Sequence, residues 1–324
     1  MTEPLRATMT LDWQKLSTYS LLERPSKVEI ADFSRPFTGE ENISEFFDNL
    51  PNILGGQDIK EIINTVCRSF ESGRLILLAM GAHVIKVGLA PALIPLLERR
   101  VIQGIAMNGA GIIHDFEIAF AGKTSEDVSE VLGTGNFGMA RETGQYLNEA
   151  INKGAKNGWG LGYSIGHFIN QQQLPHRDKS IVAACYQHNI PLTVHVAIGT
   201  DIIHMHPDAD GAAIGATSMK DFQNFCELVA NLDRGVYFNV GSAVILPEVF
   251  LKALSLVHNL GHQINGLTTI AIDFIRQYRV MENVVKRPTR ESGKGYYLTG
   301  QHEIILPLLI AGILAQLNQS TNKE

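Results

Sequence analysis

Ile190-Pro191-Leu192-Thr193-Val194-His195-Val196-Ala197-Ile198 reads as an apolar strand running into Gly199-Thr200-Asp201-Ile202-Ile203-His204-Met205-His206-Pro207. A buried strand that ends in Gly, Asp and two His is how an open α/β sheet presents polar groups at the carboxyl edge of its strands, where such folds bind ligands. Three further apolar runs end alike. Leu75 to Met80 leads into Gly81-Ala82-His83, Val101 to Met107 into Asn108-Gly109-Ala110-Gly111 and then His114-Asp115, and Val236 to Asn239 into Gly241-Ser242. Four such edges predict one crevice.

Helical spacing alternates with these runs. Ile59, Ile62, Ile63, Val66, Cys67 and Phe70 predict a helix stopped by Ser72-Gly73, and helices over Leu89 to Arg100, Lys179 to His188, Met219 to Leu232 and Glu248 to Asn259 precede later strands. Leu267 to Asp273 is a fifth strand. This is the order of parallel βαβ units, so the predicted fold is α/β, a doubly wound parallel sheet. We read 56–324 as a single α/β domain, preceded by an N-terminal arm over 1–55. Pro4, Pro25, Pro36 and Pro51 punctuate the arm, and Phe33, Phe37, Phe46 and Phe47 would anchor it on the domain or on a neighbouring subunit. An insertion spans 123–175. In it Ser125-Glu126-Asp127 starts a short helix, Phe137 to Ala150 makes another, and Gly154 to Gly162 is a glycine-rich loop, the make-up of a lid. Gly133, Gly135 and Gly138 match the spacing G-x-G-x-x-G, but no strand precedes them, as that phosphate fingerprint requires.

Composition narrows the function classes. The chain has 324 residues, 45% apolar and 19% charged, with a formal charge of -6, which argues against disorder and against a nucleic-acid partner. Cys67, Cys185 and Cys226 are odd in number and set in apolar helical contexts, which suits core thiols better than disulfides. Met1 to Ser20 interleaves charge with apolar residues, and the apolar run Ile304 to Ala315 is 12 residues long with Pro307 and Gly312 inside it. That run is short of the ~20 needed to cross a bilayer and reads as a buried helix. The expectation is a cytoplasmic protein with no membrane partner.

Glycine and alanine at four strand ends would let a ligand approach the backbone, and the helices that follow offer N–H groups to an anion, so a dinucleotide is the expected ligand. Helix packing against the sheet is the alternative use of the same small residues. His83, His114, His195, His204, His206 and His302, with Asp115, Asp201, Asp208 and Asp210, offer acid–base groups or, alternatively, a metal centre built on His204, His206 and Asp208. Lys294 lies in a polar segment, Arg287 to Tyr297, before the last helix. It is either an exposed loop lysine or an imine-forming amine in the crevice.

The order of these motifs resembles the deoxyhypusine synthase family over roughly Ile59 to Gln316. The resemblance rests on Met80-Gly81-Ala82-His83-Val84-Ile85-Lys86-Val87-Gly88-Leu89, on Asn108-Gly109-Ala110-Gly111 with Asp115, and on Cys185 to Pro191 leading to Gly199-Thr200-Asp201. It continues through Val240-Gly241-Ser242-Ala243-Val244, Arg287-Pro288 with Ser292-Gly293-Lys294, and Leu306-Pro307-Leu308-Leu309. Members of that family use NAD to oxidise spermidine and transfer its aminobutyl group to a protein lysine or to a small amine. The resemblance implies NAD as cofactor, with Gly81, Ala82 and His83 at its first contacting turn, Asn108, Gly109 and Ala110 at the second, and Gly241 and Ser242 near the pyrophosphate. It places Asp201 and Asp273 near ribose and substrate.

Departures from the family pattern are specific. His114 stands where the family has an acidic residue, Ile245-Leu246 where it has Lys-His, and the Arg-Pro segment lacks a tryptophan. The position of the imine-forming lysine is Tyr297, three residues from Lys294. Either Lys294 serves, or the imine step is lost. The resulting expectation is a deoxyhypusine synthase-like enzyme rather than a deoxyhypusine synthase. It would be an NAD-dependent aminoalkyl transferase or oxidase of a polyamine or related small-molecule amine, working as a homo-oligomer (dimer or tetramer), with Asp201, His114, His204 and Lys294 as its catalytic candidates. A metal-dependent enzyme on the same fold and a non-catalytic nucleotide-binding protein are the alternatives.

Overall fold

Ile76–Met80 (β1), Gly104–Asn108 (β2), Leu192–His195 (β3), Val236–Val240 (β4), Thr268–Asp273 (β5) and Lys294–Thr299 (β6) form one sheet in a computed structural model that describes residues 11–321. All strands are parallel and lie in the order β3-β2-β1-β4-β5-β6. The chain therefore winds outward from β1 to β3, returns through the long helix Gly211–Ala230, and winds outward again from β4. The strand order reverses between β1 and β4. In register, Met80 pairs with Val240, Asn108 with His195, and Asp273 with Thr299, so these residues mark a common carboxyl edge.

Both faces of the sheet are covered, which is why its strands read as unbroken apolar runs. Alternate residues serve opposite cores. Ile76, Leu78, Met80, Val236, Phe238 and Val240 pack with the helices Leu54–Glu71, Gly109–Ala121 and His302–Thr321, whereas Leu77, Ala79, Tyr237 and Ala271 meet the helices Gly211–Ala230 and Ile245–Asn259. The last helix is long and apolar enough to span a bilayer by length and composition. Its Leu306, Leu309, Ile310, Ile313 and Leu317 lie in the core.

Several elements differ from their sequence reading for identifiable reasons. The strand expected over Ile190 to Ile198 is only Leu192–His195, because β3 is a sheet edge and the chain turns away at Ala197, whose carbonyl accepts from Thr200 N. Side chains take over its free side: Asp221 accepts from Val194 N at 2.8 Å, and Ser218 Oγ donates to Val194 O at 3.0 Å. The opposite edge, β6, was hidden in the polar segment. Helix Gly211–Ala230 starts eight residues before the expected Met219, capped by Asp210, because Ala and Gly in its first turns give no amphipathic signal.

Gly154 to Gly162 is not a loop. Arg141–Asn157 and Leu161–Gln171 are helices joined by Gly158-Trp159-Gly160, and Leu147, Ile151, Leu161, Ile165 and Ile169 are fully buried, so this half of the predicted insertion is core. The exposed half is 123–140. Of the N-terminal arm, the first ten residues lie outside the described residues. Helix Ile43–Asn49 docks Phe47 against Ile63 and Gly312, whereas Trp13 and Leu22 stand 73% and 95% exposed.

Candidate active site

The strand order places the turns after β1 and β4 side by side at the reversal point, where doubly wound sheets bind ligands. Gly81 N donates to Val240 O at 2.8 Å and Gly241 N to Ile272 O at 3.0 Å. A Cβ on Gly81 would overlap the carbonyl oxygen of Gly241. Gly241 has φ +62, and a Cβ there would come within 2.8 Å of His302 Cε1. These glycines are thus required by contacts within the protein, so their presence does not by itself announce a ligand. What the turns leave over is more informative. His302 is fully buried, its Nε2 lies 3.2 Å from Ile272 O, its Nδ1 has no hydrogen-bond partner, and burial lowers its pKa. His83 stands edge-on to Phe274 at 4.9 Å and 5.5 Å from His302, with Ala82 half-buried beside it. Ser242 and Asp273 are partly committed to their own turns, accepting from Leu246 N and Phe274 N.

The turn after β2 carries the second group. Asn108 Oδ1 caps the helix Gly109–Ala121 by accepting from Gly111 N at 3.2 Å. The Asp201 carboxylate lies where a Gly109 side chain would be, which is why that position needs glycine. Burial pushes the Asp201 carboxyl up to about 6, against the lowering effect of the Ala110 N–H. His204 faces it: Nε2 lies 4.0 Å from Asp201 Oδ2, both side chains are buried, and neither atom has a partner. Because Gly199 N donates to His204 Nδ1 at 3.1 Å, the ring's proton resides on Nε2.

From Ala110 the residues His114 and Glu117 follow at four- and seven-residue steps, on one face of the same helix. They line a cavity of about 540 Å3 that Asp201 and Lys86 share and that the segment 123–140 closes through Thr124, Glu126, Val128 and Phe137. His114 Nδ1 lies 2.7 Å from Thr124 Oγ1, which donates to Glu117 Oε2 at 2.5 Å; Thr143 Oγ1 donates to Glu117 Oε1 at 3.0 Å. Burial lowers the His114 pKa, Glu117 opposes this, and Lys86 reinforces it.

Other candidates lie elsewhere. Lys294 opens β6 at the amino edge, five steps or about 17 Å of strand from the crevice. It is 61% exposed and paired with Glu61, which raises its pKa, so it does not meet the crevice as an imine-forming amine. Tyr297 is turned to Ile275 O at 2.8 Å. The trio His204, His206 and Asp208 does not converge. His206 fills the groove above Gly144 and its Nε2 holds Gly138 O at 2.9 Å, while His204 is committed to Gly199. Among the described residues no three His, Cys, Asp or Glu side chains are grouped to hold a metal. Asp115 caps the helix Ile181–Gln187 through Ile181 N and Ser180. His195 is buried against Phe225 and Thr193, and burial depresses its pKa to about 4. Gly133 to Gly138 follows a helical turn, not a strand. Sequence reasoning missed Glu117, which its i+3 spacing from His114 could have revealed. It also missed Thr124 and Thr143, which no spacing could have revealed.

No protein-family model matches the chain, and no curated protein does. Solved structures match its backbone. A candidate LOR/SDH protein from Methanococcus maripaludis S2 has a TM-score of 0.50 at 16% identity, over 90% of this chain and 74% of that one. AgrE, solved in complex with ornithine and NAD+, has a TM-score of 0.50 at 13% identity, over 83% of this chain and 34% of that one. The chain thus spans about a third of the length of AgrE, and likewise of the cyanobacterial arginine dihydrolase ArgZ. A candidate deoxyhypusine synthase from Entamoeba histolytica has a TM-score of 0.50 at 12% identity, over 87% of this chain and 96% of that one. At these identities the likeness is one of fold, and the fold of this chain is deoxyhypusine-synthase-like.

Proposed function

We propose that the protein is an NAD-linked enzyme acting on an amine at the carboxyl edge of the sheet. The observation that carries this reading is the β3-β2-β1-β4-β5-β6 order, with unpartnered buried polar atoms on His302 at the reversal point and on Asp201 and His204 beside the neighbouring turn after β2. On this reading Gly81, Ala82, His83, Gly241, Ser242 and Asp273 would hold one half of the dinucleotide, and Asn108, Gly109 and Ala110 the other. The similarity in fold to AgrE, whose structure holds NAD+ and ornithine, supports both the cofactor and the amine.

When bound, NAD+ would accept the hydride from the carbon beside the substrate nitrogen. The chain's own residues do the rest. Carboxylates of Asp201, Glu117 and Glu126 in the cavity attract the ammonium, and an N–H proton must leave before the hydride can. The overall change converts R–CH2–NH3+ and NAD+ to R–CH=NH2+, NADH and one proton held by the protein. Lys294 is remote, so the chemistry proceeds without a lysine imine.

The arm suggests self-association. Leu22, Ile30 and Phe33 are 95%, 85% and 59% exposed, more apolar surface than an isolated chain tolerates well, and we propose that they are covered in a homodimer or homotetramer.

The test is thermal stabilisation by NAD+, followed by NADH formation with a panel of mono-, di- and polyamines and product mass. Stabilisation without turnover of any amine would leave a nucleotide-binding protein. No stabilisation would overturn the reading.

A further inference from the structure

The hydrogen-bond directions in this cavity assign a role to its loop. Thr124 has one hydroxyl proton, and at 2.5 Å from the Glu117 carboxylate oxygen, which can only accept, that proton points to Glu117. Thr124 Oγ1 must then accept from His114, 2.7 Å away, so the imidazole proton sits on Nδ1. Nε2 is left with its lone pair. Glu117 is fixed from its other side by Thr143 at 3.0 Å. The arrangement is a base oriented by a hydroxyl that is oriented by a carboxylate, the logic by which a neutral imidazole is held in the tautomer that accepts a proton.

Thr124 is not on the helix that carries His114 and Glu117. It lies just beyond Gly122, whose φ of +68 turns the chain out of that helix, and on the segment that walls the cavity. Glu126 on the same segment accepts from Gly138 N at 2.8 Å, which ties the segment to itself, and His206 holds Gly138 O at 2.9 Å, which ties it to the rest of the fold. Asp201 lines the same cavity, while its unpartnered Oδ2 is turned inward to Gly109 and His204.

We infer that His114 accepts the substrate's N–H proton at Nε2, that Thr124 and Glu117 are positioning residues that set its tautomer, and that the segment 123–140 completes this base by carrying Thr124. The inference rests on the reading of the cavity as an amine site. In the step an N–H bond of the ammonium breaks, its electron pair stays on the substrate nitrogen, and the proton joins His114 Nε2 to give an imidazolium. The neutral amine so formed is the species from which a bound NAD+ would take the hydride.

The experiment reads ring nitrogens by NMR in full-length protein labelled with 15N-histidine, His114 being assigned from the signal lost in His114→Gln. The expected spectrum above pH 7 shows Nδ1 protonated and Nε2 bare. Thr124→Val removes the acceptor and moves the ring toward the Nε2-protonated form, whereas Thr124→Ser, which keeps the hydroxyl, retains the wild-type pattern. Glu117→Gln frees the Thr124 proton and mixes the two forms. An Nε2-protonated ring in the wild type, or the same tautomer in wild type and Thr124→Val, overturns the proposal. If Thr124→Val does not fold, the wild-type and Thr124→Ser spectra decide. Stabilisation by NAD+ is measured on the same samples: its absence defeats the functional reading while the tautomer result stands, and a wrong tautomer defeats only the relay.

Discussion

His204 Nε2 faces Asp201 Oδ2 across 4.0 Å inside the protein, and neither atom has a hydrogen-bond partner. A proton on Nε2, imposed by the Gly199 N–H at Nδ1, points a donor toward a carboxylate that it does not quite reach. Such a gap is unfavourable in a purely structural pair, because both groups lose water without gaining each other.

A charge test follows for Asp201→Asn. Burial raises the folded carboxyl to about 6, above its ordinary 3.8. Stability from the protonated form is therefore complete below the ordinary value and lost as pH rises through about 6. The amide does not ionise, so the variant should gain on the wild type as pH rises from about 4 to about 6 and keep that gain above it, by an amount on the order of 1–3 kcal/mol. The same variant should lose stabilisation by amines. Thermal melts across that pH range check it, and a wild-type advantage that grows with pH would sink the assignment.

The glycines can be ranked by what surrounds them. Gly81→Ala meets the Gly241 carbonyl, which is backbone at the sheet's reversal point, and should destabilise by about 2–4 kcal/mol. Gly109→Ala meets only the Asp201 carboxylate, a side chain that can swing aside. It should lower stability less and yet abolish turnover. Gly133→Ala meets nothing and should leave stability within about 0.5 kcal/mol and stabilisation by NAD+ unchanged. Melting curves and NADH formation for the three variants separate packing glycines from site glycines.

How much was legible in the sequence depended on the range of the interaction. Runs such as Ile76–Met80 and Val236–Val240 are buried on both faces, so apolarity alone marked them, and the residues after them marked the crevice. Lys294–Thr299 escaped because an edge strand whose ends are exposed shows little apolar run. The glycine turns were found but their reason was not: the partner of Gly109 is 92 residues away at Asp201, and that of Gly241 is His302. His206 looked like a ligand because its partners, Gly138 and Gly144, appear only once the chain is folded. Lys294 had two readings, exposed or imine-forming, and its place at the amino end of β6, which the sequence pattern does not give, decides for exposure.

Lys294→Ala checks the exposed reading. Its ion pair with Glu61 is exposed, so its loss should change stability by no more than about 1 kcal/mol. NAD+ binding and amine turnover should be unaffected, and borohydride with an amine and NAD+ should trap no adduct at Lys294. A covalent adduct there would require a different arrangement of β6 from the one described.

The arm supplies the last prediction. Leu22, Ile30 and Phe33 are 95%, 85% and 59% exposed, whereas Phe47 is tied into the core against Gly312. Replacing the first three by Ser removes apolar surface that the single chain leaves open, so the melting temperature of a dilute sample should change by only a few degrees. If these side chains are buried between subunits, the triple variant should sediment as a monomer at concentrations where the wild type sediments as a dimer or tetramer. Phe47→Ser is the counter-case. It opens the packing of helix Ile43–Asn49 on the last helix, and should lower the melting temperature at every concentration. A wild type that sediments as a monomer throughout, with the triple variant unchanged, would show that the arm's apolar residues serve something other than self-association.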